Sequence, residues 1–148
     1  MAASEHLNPQ LFHGTAHIFA EGELLDPAQA KQNYFNIDSN YLKLAPEIQD
    51  DWKDKNTISA SSSYDRAASR AASKAENEGM LFAPVYEVDN SSFSMVKDLI
   101  PHKYVDDINR TTAVSKEKVK PLRIAGWATN PLASTEDSGD NFYTRRKR

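Results

Sequence analysis

The chain contains no cysteine. Disulfides, thiolate nucleophiles and cysteine-based metal sites are therefore excluded. Long apolar runs are missing as well, and no stretch approaches the roughly 20 residues that a membrane-spanning helix needs. The opening Met1-Ala2-Ala3-Ser4-Glu5-His6 has neither the basic nor the apolar block of a secretory signal, so a cytoplasmic protein without membrane contact is expected. An excess of positive charge is missing: 18 Lys and Arg stand against 21 Asp and Glu, for a net charge of -3, and only Arg145, Arg146, Lys147 and Arg148 form a basic block. General nucleic-acid binding calls for a larger positive surface and is not expected. Only 5 glycines are present, with no Gly-x-Gly-x-x-Gly and no Walker loop, so a nucleotide must be held by another device.

What is present suits one soluble domain. The 148 residues are 39% apolar and 26% charged, an ordinary globular balance at a one-domain length. Residues 1–10 read as a flexible N-terminus and 11–128 as the domain. Residues 129–148, crowded with Asn, Pro, Ser, Asp and Gly, read as a flexible or partner-docking tail.

Leu11-Phe12-His13 is a short apolar strand broken by Gly14-Thr15. Asp26-Pro27 caps a short helix to about Gln32, and Pro46 opens another anchored by Trp52. After Ser61-Ser62-Ser63, with Ser62 and Asp65 fitting a capping box, comes the clearest helix. Ala67, Ala68, Ala71, Ala72 and Ala75 form its small-residue face, narrow enough to lie close against a sheet. Arg66, Arg70 and Lys74 occupy another face, and Gly79 ends the helix. Val85–Val88 and Leu122–Trp127 alternate as strands, and Thr111–Ser115 is a weaker one. Strands mixed irregularly with short helices predict an α+β fold.

Of the four histidines, His13 stands out. Gly14 beside it lets a ligand reach the backbone, whose N–H and C=O can pair with a flat carboxamide, while a neutral imidazole bonds a ribose hydroxyl. The other reading is a histidine bonded to its own turn. His13 and His17 have helical metal-ligand spacing, but Gly14 argues against a helix and no third ligand lies nearby, so no metal is expected. The serines at 61–63 lack a nucleophile elbow, and the adjacent acids Asp106-Asp107 and Glu136-Asp137 read as solvated surface.

Leu11-Phe12-His13-Gly14-Thr15 with Glu21-Gly22-Glu23-Leu24-Leu25 resembles the opening of the rifampin ADP-ribosyltransferase (Arr-like) family. Ser39-Asn40-Tyr41 with Pro46-Glu47-Ile48, Ile58-Ser59-Ala60, Val85-Tyr86-Glu87-Val88-Asp89 and Pro121-Leu122-Arg123-Ile124-Ala125-Gly126 follow in the family's order. The resemblance implies a split β-sheet core that binds NAD as a substrate and passes ADP-ribose to a small-molecule or protein acceptor.

It also implies that His13, Gly14 and Thr15 hold the cofactor. The family's ring-stacking aromatic falls on Thr57, or on Ser59 after a two-residue slip, and Tyr41 or Tyr64 are the rings that could replace it. The acid of the later loop falls nearest Asp98, next to Lys97. These departures leave two readings. One is an ADP-ribosyltransferase with Asp98 as its acid. The other is a catalytically degenerate module, a structural or assembly component such as one of a phage virion, docking a protein partner through residues 129–148.

Overall fold

The computed structural model describes residues 8–35 and 42–132. Asp26, at the N-cap, accepts a hydrogen bond from the Ala28 amide at 3.0 Å and starts helix α1 (Pro27–Ala30). A single 3₁₀ turn at Pro46–Ile48 leads into α2 (Gln49–Trp52), whose Trp52 is buried. Helix α3 (Tyr64–Glu78) carries the alanine stripe and stops at Gly79, which adopts the left-handed φ of 70° that glycine tolerates best. Its cap is Ser63, one residue later than the Ser62–Asp65 box predicted: the Ser63 hydroxyl accepts from the Arg66 amide at 3.3 Å. Ser63→Ala is expected to cost about 1 kcal/mol in a thermal melt, against almost nothing for Ser62→Ala.

The strands are β1 (Leu11–Gly14), β2 (Ile58–Ser61), β3 (Phe82–Val88), β4 (Ser94–Met95), β5 (Thr112–Ser115) and β6 (Pro121–Thr129). They form one antiparallel sheet in the order β4-β5-β2-β1-β3-β6. The fold is thus α+β. Strand β3 holds Pro84 inside the sheet, and irregularities follow it at Val85/Tyr86 and Glu87/Val88 in the pairing with β6. Pro84 is tolerated for a different reason: its carbonyl accepts from Thr15, so its N lies on the β1 side, beyond the end of that strand, where no ladder N–H is needed.

One interior join in this sheet is much thinner than its neighbours, while at the edge β4 meets β5 through two pairs. β2 meets β5 through four residue pairs and β1 meets β3 through four, but β1 meets β2 only at Phe12↔Ser61. The strands part at His13, so the sheet consists of two half-sheets, β4-β5-β2 and β1-β3-β6, joined at one rung.

Side-chain alternation distributes the core around this join. Leu11, Ile58, Ala60, Tyr86, Val88 and Ala113 share one face and form a cluster that spans both half-sheets. On the other face each half-sheet has its own cover. Ala67, Ala71 and Ala75 of α3 pack on Ala83, Val85 and Ala128. Phe35, Leu44, Trp52, Val96 and Ile100 pack on Val114.

A Cβ at Gly14 would collide with the Ala67 carbonyl oxygen and lie 2.7 Å from the Ala71 nitrogen. Glycine in the strand and alanine in the helix together let the two backbones meet.

The expected domain end at 128 falls inside β6. Thr129 closes that strand, and the buried Asn130 donates to the Met80 carbonyl at 2.9 Å while its own amide bonds Leu81 O. At the other end, Asn8 donates to the carbonyls of Asn90 and Phe93. Positions 133–148 of the expected tail, including its aromatic and basic residues, lie outside the described residues. No helix among the described residues is long and apolar enough to cross a membrane.

Candidate functional site

The parting of β1 and β2, with separate covers on one face, leaves a groove of two lobes. The larger, about 690 Å³, runs between α3 and the loop that carries Tyr34. The smaller, about 350 Å³, continues past His13 toward Thr15, Phe19 and Glu23. Both volumes lie within the range of small-molecule sites. His13, Gly14, Gln32, Thr57, Ser59 and Arg70 border both lobes, which makes them one site.

His13 stands where the ladder stops. Its Nδ1 lies 2.6 Å from the Ser59 carbonyl oxygen. A carbonyl can only accept, so Nδ1 carries the proton and the neutral ring presents Nε2 as an acceptor. Nε2 has no hydrogen-bond partner among the described residues. Loss of hydration pulls the imidazole pKa down to about 4; Arg70 and Lys74 push the same way, against the Ser59 bond. At neutral pH the ring is uncharged. The histidine therefore bonds across the join rather than to its own turn.

Gly14 follows on the same strand. The Thr15 amide donates to Pro84 O on β3, so by antiparallel alternation the Gly14 N–H and C=O point the other way, toward the gap beside β2. No ladder pair forms there. Thr15 itself borders only the smaller lobe, and its hydroxyl accepts from the His17 amide.

Where the resemblance calls for a ring-stacking aromatic, the chain has Thr57. Thr57 is buried; its amide donates to Gln32 O at 2.7 Å, and its hydroxyl accepts from the Tyr34 amide at 3.1 Å. Thr57 thus fixes the loop that brings Tyr34 to the groove wall. Tyr34 packs edge-on against Phe35, bonds the Thr112 side chain, and has its phenol pKa raised by burial. Sequence reasoning missed Tyr34 because it belongs to no motif, and only the fold of the loop aims it.

Of the rings considered instead, Tyr41 lies outside the described residues. Tyr64 packs edge-on against Phe12, and its hydroxyl fills the space over Gly126. Tyr64 is part of the packing and does not line the groove.

The structure gathers His13, Gly14, Thr15, Thr57 and Ser59 and leaves Asp98 out. Asp98 ends a 3₁₀ turn directly after β4, at the sheet's far edge, and borders neither lobe. The carboxylates that do border the groove are Asp65 in the larger lobe and Glu23 and Asp26 in the smaller. Glu23 accepts from the Ala20 amide and from His17 Nε2, each at 2.8 Å, and these bonds hold its carboxyl below the usual range. No group of three or more His, Asp or Glu side chains among the described residues is arranged to hold a metal ion.

One wall is cationic. Arg66 borders the larger lobe, Lys74 the smaller and Arg70 both. Arg70 donates to Gln32 Oε1 at 3.4 Å, a long contact, and none of the three pairs with a carboxylate among the described residues.

No protein-family model, curated protein or solved structure matches the chain.

Proposed function

We propose that the groove is a nucleotide site of the ADP-ribosyltransferase type, holding NAD⁺ across His13 and passing its ADP-ribosyl group to an acceptor. One observation carries this reading. At the break between two half-sheets stands a neutral histidine whose proton is fixed on Nδ1 by Ser59, beside a glycine whose backbone faces the same gap. An uncharged Nε2 accepts a hydrogen bond from a ribose hydroxyl, and the Gly14 N–H and C=O match the two halves of a carboxamide. Tyr34 gives a flat ring on the groove wall.

In the reaction the bond from C1′ to nicotinamide breaks and its electron pair neutralises the pyridinium nitrogen. The acceptor then bonds C1′ and releases a proton. Positive charge develops on the ribose, so a nearby carboxylate lowers the barrier. Under this reading the carboxylate is one that borders the groove, and Glu23 is the one held in place by two hydrogen bonds.

The test is calorimetric titration with NAD⁺, together with chromatographic detection of released nicotinamide. Saturable binding and slow release are expected, with both lost in His13→Ala. Absence of binding at millimolar NAD⁺ ends the reading. A second reading, a binding module without turnover, draws on the threonine and serine at 57 and 59 and on the distance of Asp98 from the groove. Binding without nicotinamide release would select it.

A further inference from the structure

We infer that the larger lobe is a phosphoanhydride site in its own right, in which Arg66 and Arg70 clamp a diphosphate group whether or not a nicotinamide is attached. The inference concerns the same groove as the proposed function but rests on a different wall of it. Arg66 and Arg70 are one helical turn apart on α3, about 6 Å along its axis. Both guanidiniums can therefore meet one diphosphate. The alanine stripe turns toward the sheet, so the neighbouring stripe with the arginines runs along the edge of the groove.

Two guanidiniums border one concave lobe, and neither is paired with a carboxylate among the described residues, so both are free to receive an anion. Planar guanidinium forks suit phosphate oxygens particularly well. Around them, Ser59, Ser63, Ser69 and Ser73 supply hydroxyls that can donate to the same kind of oxygen. Asp65 is the one carboxylate bordering this lobe, so the two arginines outnumber it. The smaller lobe differs: there Glu23 and Asp26 offset Arg70 and Lys74. The charge balance thus assigns the anion to the larger lobe, and the ligand class is inorganic pyrophosphate and nucleoside diphosphate esters such as ADP-ribose.

The experiment is calorimetry on the full chain with inorganic pyrophosphate and with ADP-ribose, at low and at moderate salt. Pyrophosphate is expected to bind, to compete with ADP-ribose, and to weaken as salt rises. Arg66→Gln and Arg70→Gln are each expected to lose about tenfold in affinity for both ligands, the scale of one lost charge-assisted contact. Lys97→Gln, which removes an exposed charge away from the groove, is expected to lose almost nothing. Both arginines are exposed, and unchanged melting curves would show that the variants remain folded.

His13→Ala is expected to keep pyrophosphate binding while weakening ADP-ribose. No pyrophosphate binding, or arginine variants that behave like Lys97→Gln, would overturn the inference. If pyrophosphate binds through the arginines and NAD⁺ does not bind, the transferase reading falls and this one stands. If NAD⁺ binds equally well without Arg66 or Arg70, the opposite holds.

Discussion

Gly14→Ala is expected to destabilise the domain by about 3 kcal/mol, at the upper end for an overpacked core. The new methyl would collide with the Ala67 carbonyl and press on the Ala71 nitrogen. These are backbone atoms of a 15-residue helix, so no side-chain rotation relieves the contact. α3 must lift from β1 and β3, or the strand must move. A drop of about 10 °C in Tm is expected for a domain of this size. Gly22→Ala is the control. Gly22 has a φ of 84° but nothing within 4 Å of a new Cβ, so its cost is only the left-handed backbone, about 1 kcal/mol. Equal losses at the two sites would show that α3 does not lie directly on Gly14.

The second large effect is a loss of stability on acidification that belongs to His13. The folded-state pKa is about 4, below the ordinary 6.5. Between these values the unfolded chain takes up a proton that the folded protein refuses, so acid favours unfolding. The contribution is intact above pH 6.5 and shrinks as pH falls toward about 4, where the loss reaches about 3 kcal/mol. Below that both states are protonated and the loss is complete.

Urea unfolding of the wild type and of His13→Gln across this window isolates the effect. Glu23, Glu87 and Asp89, whose carboxyls are also held low, titrate in both proteins and cancel in the difference. Parallel curves would mean that the imidazole is freely solvated. The same value keeps Nε2 an acceptor throughout the neutral range.

Much of the fold was legible in local chemistry. Alanine at 67, 71 and 75 with glycine at 79 specifies a helix, its end and its buried face, and the structure has all three. Asp26-Pro27 marked the start of α1 correctly. The full extent of β3 was not readable, because Pro84 lies within the strand and is tolerated only because its N faces the side where β1 has already ended. Strand β4 is two residues long, too short for any periodicity to register.

The site was half legible. His13-Gly14-Thr15 drew attention through residue type alone. Arg66, Arg70 and Lys74 were visible as one helix face, but which neighbour that face meets depends on how α3 seats on the sheet. Asp98 illustrates the limit of counting along a chain. It follows β3 by a short loop, yet the chain crosses from β3 over the positions of β1, β2 and β5 before it lays down β4. Nearness in sequence to a groove strand therefore brought no nearness in space.

The lone rung at Phe12↔Ser61 gives the domain a mechanical character that a fully laddered sheet lacks. Two rigid plates share one weld, with the imidazole of His13 as a strut beside it. Few main-chain bonds cross the join, and what ties the plates together is mainly the apolar cluster that Leu11, Tyr86 and Val88 share with Ile58, Ala60 and Ala113. A guest lodged there would supply the hydrogen bonds that the two plates do not make to each other.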